Sequence, residues 1–231
     1  MTNKHLAILR PGIQAWKLYW PAIFCIQSVA LLIVLLYYLY YPARPYYQSI
    51  ARLKTEGGLW FSAISTGLSA GVLPELIKKI FRPKRVTPPR IQEQAHFFVM
   101  WCLLGVFVDI FYRFQDYLFG SALSFEVVSP KIIVDQLIFT PLIPLPFIIS
   151  WAMLLEARYR LREYRNIWHP HVLFKRMLPL WVTALSYWPP MLAILYSLPA
   201  DLQFPLFLLA NAAFSILMIY MARRPEIFES A

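Results

Sequence analysis

The sequence has little charge and few residues that could build a cross-linked framework. Only 15% of its 231 residues are charged, against about one quarter in a typical soluble protein. This excludes an ordinary water-exposed globular surface. The two cysteines, Cys25 and Cys102, both lie in apolar runs. They exclude a disulfide framework and are best interpreted as small packing residues.

The chain also lacks the short motifs of common enzymes and metal sites. It contains no Ser-His-Asp order, nucleophile elbow, phosphate loop, HExxH or CxxC. His169 and His171 are separated by one residue and have no acidic or cysteine companion, so no zinc site is predicted. We therefore expect a protein that is not an enzyme and that needs no metal or cofactor.

The sequence is rich in hydrophobic and aromatic residues. Hydrophobic residues make up 59% of the chain and aromatic residues 17%, which is typical of an integral membrane protein. A spanning helix needs about 20 apolar residues. We predict an all-α, multi-pass transmembrane bundle of about six spans, at 21–41, 59–77, 95–113, 132–155, 179–198 and 203–222. The last two could instead be one span and an interfacial helix.

The basic residues predict the topology of this bundle. With six spans, seventeen Lys and Arg residues fall on the side of both termini and at most five on the other. This asymmetry is what the positive-inside rule requires, so both termini are predicted on the same side. The net charge of +10 is then explained by loops, and no nucleic-acid partner is predicted.

Small residues repeat along one face of the second predicted span. Ala63, Gly67 and Gly71 are spaced four apart in the stretch AISTGLSAG. This small-xxx-small pattern lets another helix approach closely. It predicts a packing seam, either inside the bundle or with a partner protein.

The third predicted span carries three charged residues in GVFVDIFYRFQDYLFG. Asp109 lies four residues before Arg113, and Asp116 three residues after it, so the three could form a ladder of ion pairs on one helix face. Charges in a membrane face the bundle interior or an aqueous path. Two interpretations stay open, a neutralised packing network and the polar lining of a solute path.

The fourth predicted span begins KIIVDQLIFTPLIPLPFI. Lys131 and Asp135 are four apart and could pair near the membrane interface, with Gln136 next to them. Three prolines remove helix hydrogen bonds further along, at Pro141, Pro144 and Pro146. The freed carbonyls need protein or water beside them. We expect that a neighbouring helix supplies the partner.

A run of arginines follows this span, at Arg158, Arg160, Arg162 and Arg165. Its simplest interpretation is a solvated loop that sets topology. Contact with an anionic lipid such as cardiolipin is a plausible additional role.

Four motifs, taken in order, resemble those of the twenty-two-kilodalton peroxisomal membrane protein family, also called the Mpv-seventeen family. They are STGLSAG, GVFVDIFYRFQDYLFG, KIIVDQLIFTP and YWP followed by Pro199, and the resemblance covers about residues 47–224. Within the second motif, Gly105, Phe111, Tyr112 and Asp116 stand at matching places. The resemblance implies a small multi-pass protein of a peroxisomal or mitochondrial inner membrane. Some family members are described as solute pores, and no enzymatic activity is established for them.

The chain also departs from the family pattern. The first family helix usually has Gly-Asp, where this chain has VLPE. Several positions that are polar or charged in the family are replaced here, at Leu192, Leu195, Gln203 and Ser215, with Tyr196 in a Phe place and Phe214 in a Trp place. The span 21–41 has no counterpart in short members. We therefore divide the chain into an N-terminal segment with an extra helix (1–46), a family-like bundle (47–224) and a tail (225–231).

Two functions are compatible with these features. The first is a structural or accessory subunit of a larger organellar inner-membrane complex, because polar positions are lost and an aromatic-rich helix is added. The mitochondrial inner membrane is favoured, with a peroxisomal or bacterial inner membrane as alternatives. Its partners would be the lipid bilayer and other membrane subunits. The second is a small-solute channel lined by the charged residues of the third and fourth spans, at Asp109, Arg113, Asp116 and Asp135.

Overall fold

The computed structural model describes residues 3–81, 90–122, 124–196 and 198–222 of the chain. Within them the protein is all helical, as predicted, and no strand is present. The α-helices are α1 (Asn3–Leu39), α2 (Arg44–Thr66), α3 (Leu73–Phe81), α4 (Ile91–Phe119), α5 (Phe125–Val134), α6 (Thr140–Leu142), α7 (Pro144–Glu156), α8 (Leu161–Ile167), α9 (Pro170–Tyr196) and α10 (Ala200–Ala222).

Five helical segments are long and apolar enough to cross a membrane, at Trp16–Leu39, Ile91–Phe119, Phe125–Glu156, Pro170–Tyr196 and Leu202–Ile219. The region 179–222 therefore holds two spans. The predicted span 59–77 is not among the five, since it is interrupted and contains several hydroxyl side chains. It lies instead in a continuous helical run of α2, a π-helical segment (Gly67–Val72) and α3. The result is a multi-pass helical bundle of about six spans.

The packing of α1 against α10 shows how the chain runs. Tyr19 and Ile23, near the start of the first span, share a core with Met218 and Met221 at the end of α10. Further along α1, Ile33 packs in a second cluster with Leu202 near the start of α10. The two helices are therefore antiparallel, and the start of the first span lies at the same end of the bundle as the end of α10. This agrees with the topology predicted from the loop charges.

We call this end of the bundle the basic end and the other the opposite end. The basic end holds the start of α4 and the end of α7, where the indole of Trp151 donates to the carbonyl of His96 at 3.1 Å. The opposite end holds the start of α2, where the Tyr47 hydroxyl donates to the Ile33 carbonyl at 3.1 Å.

Helix α1 is an integral part of the core. It packs against α9 and α10, and Gln27 donates to the Tyr187 hydroxyl at 3.3 Å, which in turn donates to the Ala210 carbonyl at 2.8 Å. The predicted boundary at residue 46 therefore separates two parts of one packed bundle. The predicted tail 225–231 lies outside the described residues.

The small-residue seam lies inside the bundle, against α4. A Cβ on Gly67 would overlap the Cys102 sulfur, and one on Gly71 would lie 2.9 Å from the backbone of Phe98. Ala63 is buried on the same side. A partner protein is therefore not needed to explain this seam, and Cys102 is a packing residue, as predicted.

Candidate functional site

A cavity of about 390 Å³ lies inside the bundle. Helices α2, α4, α7, α9 and α10 line it, together with the π-helical segment Asp135–Phe139. Lys54, Thr55 and Gln203 lie on its side nearest the opposite end. Towards the basic end its lining reaches Met218, and the Met100, Met153 and Met221 side chains packed in the same core are fully buried and do not line it. The cavity is therefore one-sided in this conformation.

Asp135 is the central charged group of this cavity. Its carboxylate accepts hydrogen bonds from the Tyr112 hydroxyl at 3.1 Å and from the Thr140 hydroxyl at 3.3 Å. The side chain is only 6% exposed. The predicted Lys131–Asp135 pair is wrong. The prediction assumed uniform α-helix, whereas a π-helical segment starts at Asp135 and the carboxylate turns into the bundle.

Lys131 pairs with Asp116 of α4, not with its helix neighbour. Its ammonium lies 2.5 Å from Asp116 Oδ1, and the amide of Gln115 donates to the Lys131 carbonyl at 2.9 Å. The predicted ladder of three charges is therefore wrong in its second pair, that of Arg113 with Asp116. Asp109 and Arg113 do pair within α4 at 3.0 Å, but Asp116 is taken by another helix because the buried ammonium of Lys131 needs a counter-charge.

Only some of the predicted path residues reach the cavity. Asp109, Asp135 and Gln136 line it, whereas Arg113, Asp116 and Lys131 do not. Arg113 is 61% exposed and holds Asp109 from the outside of the bundle. The sequence thus predicted the polar cluster, but not which of its members face inward.

Lys54 is a lining residue that the sequence analysis missed. Its ammonium lies 4.7 Å from the centre of the Phe204 ring, in a cation–π contact between α2 and α10. Burial lowers the pKa of Lys54 from its ordinary value, and the nearby Asp109 carboxylate acts in the opposite direction. Its position among polar residues of α2 gave no distinctive sequence signal.

Three buried polar atoms of the cavity wall have no hydrogen-bond partner. They are Ser62 Oγ, Trp101 Nε1 and Gln136 Oε1, from three different elements. Each side chain is at most 4% exposed. An unpaired buried polar atom costs about 1–3 kcal/mol. Buried polar atoms of this kind are usually satisfied by protein or by ordered water.

Aromatic rings form a continuous wall beside Asp135. The Tyr112 ring lies 6.3 Å from Phe207, which lies 5.8 Å from Trp188, and Trp188 lies 5.3 Å from Phe214. All four rings line the cavity. Leu192, Leu195, Tyr196, Gln203 and Phe214 line it as well. The positions at which the sequence differs from the family pattern that it resembles thus include five on the cavity wall.

The proline-rich stretch meets a neighbouring helix. In the π-helical segment the Thr140 amide bonds the Asp135 carbonyl, five residues back. The next amide in this register would be that of residue 141, which is a proline and has none. The Gln136 carbonyl accepts instead from the Trp181 indole of α9 at 2.8 Å.

The remaining predicted residues lie away from the cavity. Four arginines are exposed at the basic end, at Arg158, Arg160, Arg162 and Arg165. The rings of His169 and His171 stack with centres 5.6 Å apart. Among the described residues no group of three or more metal-ligating side chains occurs.

Comparison of the chain with family models, with curated proteins and with solved structures gives no match.

Proposed function

We propose that this protein is a non-enzymatic membrane protein that binds a small solute inside its helical bundle and passes it across the membrane. The observation that carries the proposal is the cavity, a mostly apolar space whose wall holds the Asp135 carboxylate and three side chains with an unpaired polar atom. A volume of 390 Å³ lies within the range of small-molecule sites, about 300–1,000 Å³.

The energetics favour a solute over a purely structural role. A packing network in a membrane lowers its free energy by pairing every polar group, since lipid offers no hydrogen bonds. Asp116 and Lys131 follow this rule. Ser62 Oγ, Trp101 Nε1 and Gln136 Oε1 do not, although all three residues are buried.

The cavity is closed towards the basic end, so passage requires a conformational change. Next to the buried core, His96 Nε2 donates to the Trp151 carbonyl at 2.9 Å, and the Trp151 indole donates back. Two π-helical segments, Gly67–Val72 and Asp135–Phe139, interrupt helices that line the cavity. Such interruptions are frequent at functional sites and are suitable places for a helix to bend.

The four sequence motifs support membership of the Mpv-seventeen family and, with it, an organellar inner membrane. We favour the mitochondrial inner membrane, with a peroxisomal or bacterial membrane as alternatives. The accessory-subunit hypothesis remains the second candidate. We rank it lower because the small-residue seam packs inside the bundle, and because Leu192, Leu195 and Gln203 line the cavity.

Solute passage can be tested with purified protein in liposomes. Swelling in solutions of uncharged and charged solutes of graded size should be faster than in protein-free liposomes, with an upper size limit. Asp109→Ala should change the rate, because Asp109 lines the cavity. The control Glu126→Ala, at an exposed position of α5, should leave the rate unchanged. Swelling equal to protein-free liposomes for every solute would refute the proposal.

A further inference from the structure

We infer that the ligand of the cavity is a small organic amine, held as a cation by Asp135 and surrounded by aromatic rings. This inference rests on the proposed solute-binding function and names the class of solute.

The Asp135 carboxylate accepts hydrogen bonds but has no counter-ion among the residues that the structure describes. The ion pairs there join Asp109 to Arg113, Asp116 to Lys131 and Glu156 to Arg176. The donors to Asp135, Tyr112 and Thr140, are both neutral. A carboxylate buried in a membrane protein is normally paired with a cation in direct contact.

The other charges of the wall are already engaged. Asp109 is held by Arg113 from outside the cavity, and the Lys54 ammonium lies over the Phe204 ring. The negative charge left to a ligand is therefore that of Asp135. An anionic ligand would be repelled by this carboxylate and would find Lys54, already placed over the Phe204 ring, as the cation of the wall, and a neutral ligand would leave Asp135 without a counter-ion.

The aromatic wall continues directly from this carboxylate. Tyr112 donates to Asp135, and its ring begins the series that leads through Phe207 to Trp188. Ring faces attract a cation placed within about 6 Å of their centres. They also give an apolar surface for the carbon skeleton of the ligand. A carboxylate beside several rings is the usual recognition chemistry for an organic ammonium group.

The unpaired atoms add detail to the ligand. Gln136 Oε1 is an acceptor on the residue next to Asp135, so it suits a second N–H of a primary ammonium group. Trp101 Nε1 is a donor only, and the Ser62 hydroxyl can also donate. All three atoms are buried behind the surface of the cavity, so a ligand would meet them only after the wall rearranges.

Binding can be measured with three probes of similar shape and different charge, namely benzylamine, benzyl alcohol and benzoate. The protein in lipid nanodiscs is titrated and tryptophan fluorescence is followed, with empty nanodiscs to subtract partitioning into lipid. We expect benzylamine to bind at least tenfold more tightly than benzyl alcohol, and benzoate to bind more weakly than either. Equal binding of amine and alcohol, or preferential binding of benzoate, would overturn the inference.

Variants at Asp135 test whether its charge causes the preference for the amine. Asp135→Asn should abolish the preference for the amine over the alcohol, whereas Asp135→Glu, which keeps the charge, should retain it. Glu126→Gln, at an exposed position, should behave as the unmodified protein. If Asp135→Asn fails to fold, the comparison of the three probes on the unmodified protein and on Asp135→Glu still decides.

The binding measurement and the liposome assay can give different results, so they test the amine inference and the proposed function separately. Amine binding without any solute flux would support this inference and reject passage across the membrane. Flux with no preference for amines would reject this inference and leave the proposed function in place.

Discussion

The indole of Trp181 on α9 donates a 2.8 Å hydrogen bond to the backbone carbonyl of Gln136. This bond joins two helices at the point where a π-helical register and Pro141 leave a carbonyl without its own amide. It holds the element that carries Asp135 and Gln136 in place. The Gln136 carbonyl of the proline-rich stretch thus gains its donor from protein, and the Asp135 side chain remains turned towards the cavity.

Removing this indole donor should destabilise the bundle. In Trp181→Phe the Gln136 carbonyl is left buried and unpaired, and we expect a loss of about 1–3 kcal/mol in the free energy of unfolding. Thermal unfolding in detergent measures it. The matched control is Trp168→Phe, whose indole bonds Ser150 at an exposed site, and its effect should be much smaller. Equal effects of the two substitutions would contradict this role of Trp181.

The pairing of Lys131 can be tested with a double-mutant cycle. Lys131→Met and Asp116→Asn should be coupled by about 1 kcal/mol, a value limited by the exposure of Asp116. Lys131→Met and Asp135→Asn should be additive within roughly 0.5 kcal/mol, since these residues do not pair. Coupling of Lys131 to Asp135 and not to Asp116 would show that the sequence-based pairing was right and the structural one wrong.

These two cases show what the sequence can and cannot predict here. Composition and loop charge were sufficient for an all-helical, multi-pass bundle, because apolar length and basic asymmetry act over whole segments. The pairing at Asp135 failed, because it depends on a change of helical register that no spacing rule contains. The cavity itself was not predictable, since its wall joins residues as far apart as Lys54 and Met218.

The contact between α2 and α4 should tolerate no side chain at Gly105. A Cβ there would lie 2.6 Å from the Ser62 carbonyl and 2.7 Å from the Thr66 side chain. Gly105→Ala should cost about 1–3 kcal/mol through overpacking. Because Ser62 and Thr66 line the cavity, probe binding should weaken as well. Leu103→Ala, at an exposed position of the same helix, is the control, and unchanged stability in Gly105→Ala would count against the packing described.

The exposed arginines at the basic end should favour anionic lipid. Each basic residue near an anionic membrane surface contributes about 1 kcal/mol. Replacing Arg158, Arg160, Arg162 and Arg165 by Gln should therefore reduce the anionic lipid that copurifies, as measured by mass spectrometry. The same lipid content in the variant and the unmodified protein would remove the proposed lipid contact and leave only the topological role.

The central claim, a one-sided cavity inside the bundle, is tested most directly by the chemical accessibility of a single cysteine. In a variant in which Ser replaces Cys25 and Cys102, Ser62→Cys places a thiol on the cavity wall. Ala70→Cys places one in the fully buried core of the same helical run.

In oriented proteoliposomes, a small membrane-impermeant thiol reagent should modify Ser62→Cys from the side of the opposite end only. Ala70→Cys should remain unmodified from both sides. Failure to modify Ser62→Cys from either side, or equal modification from both, would contradict the account.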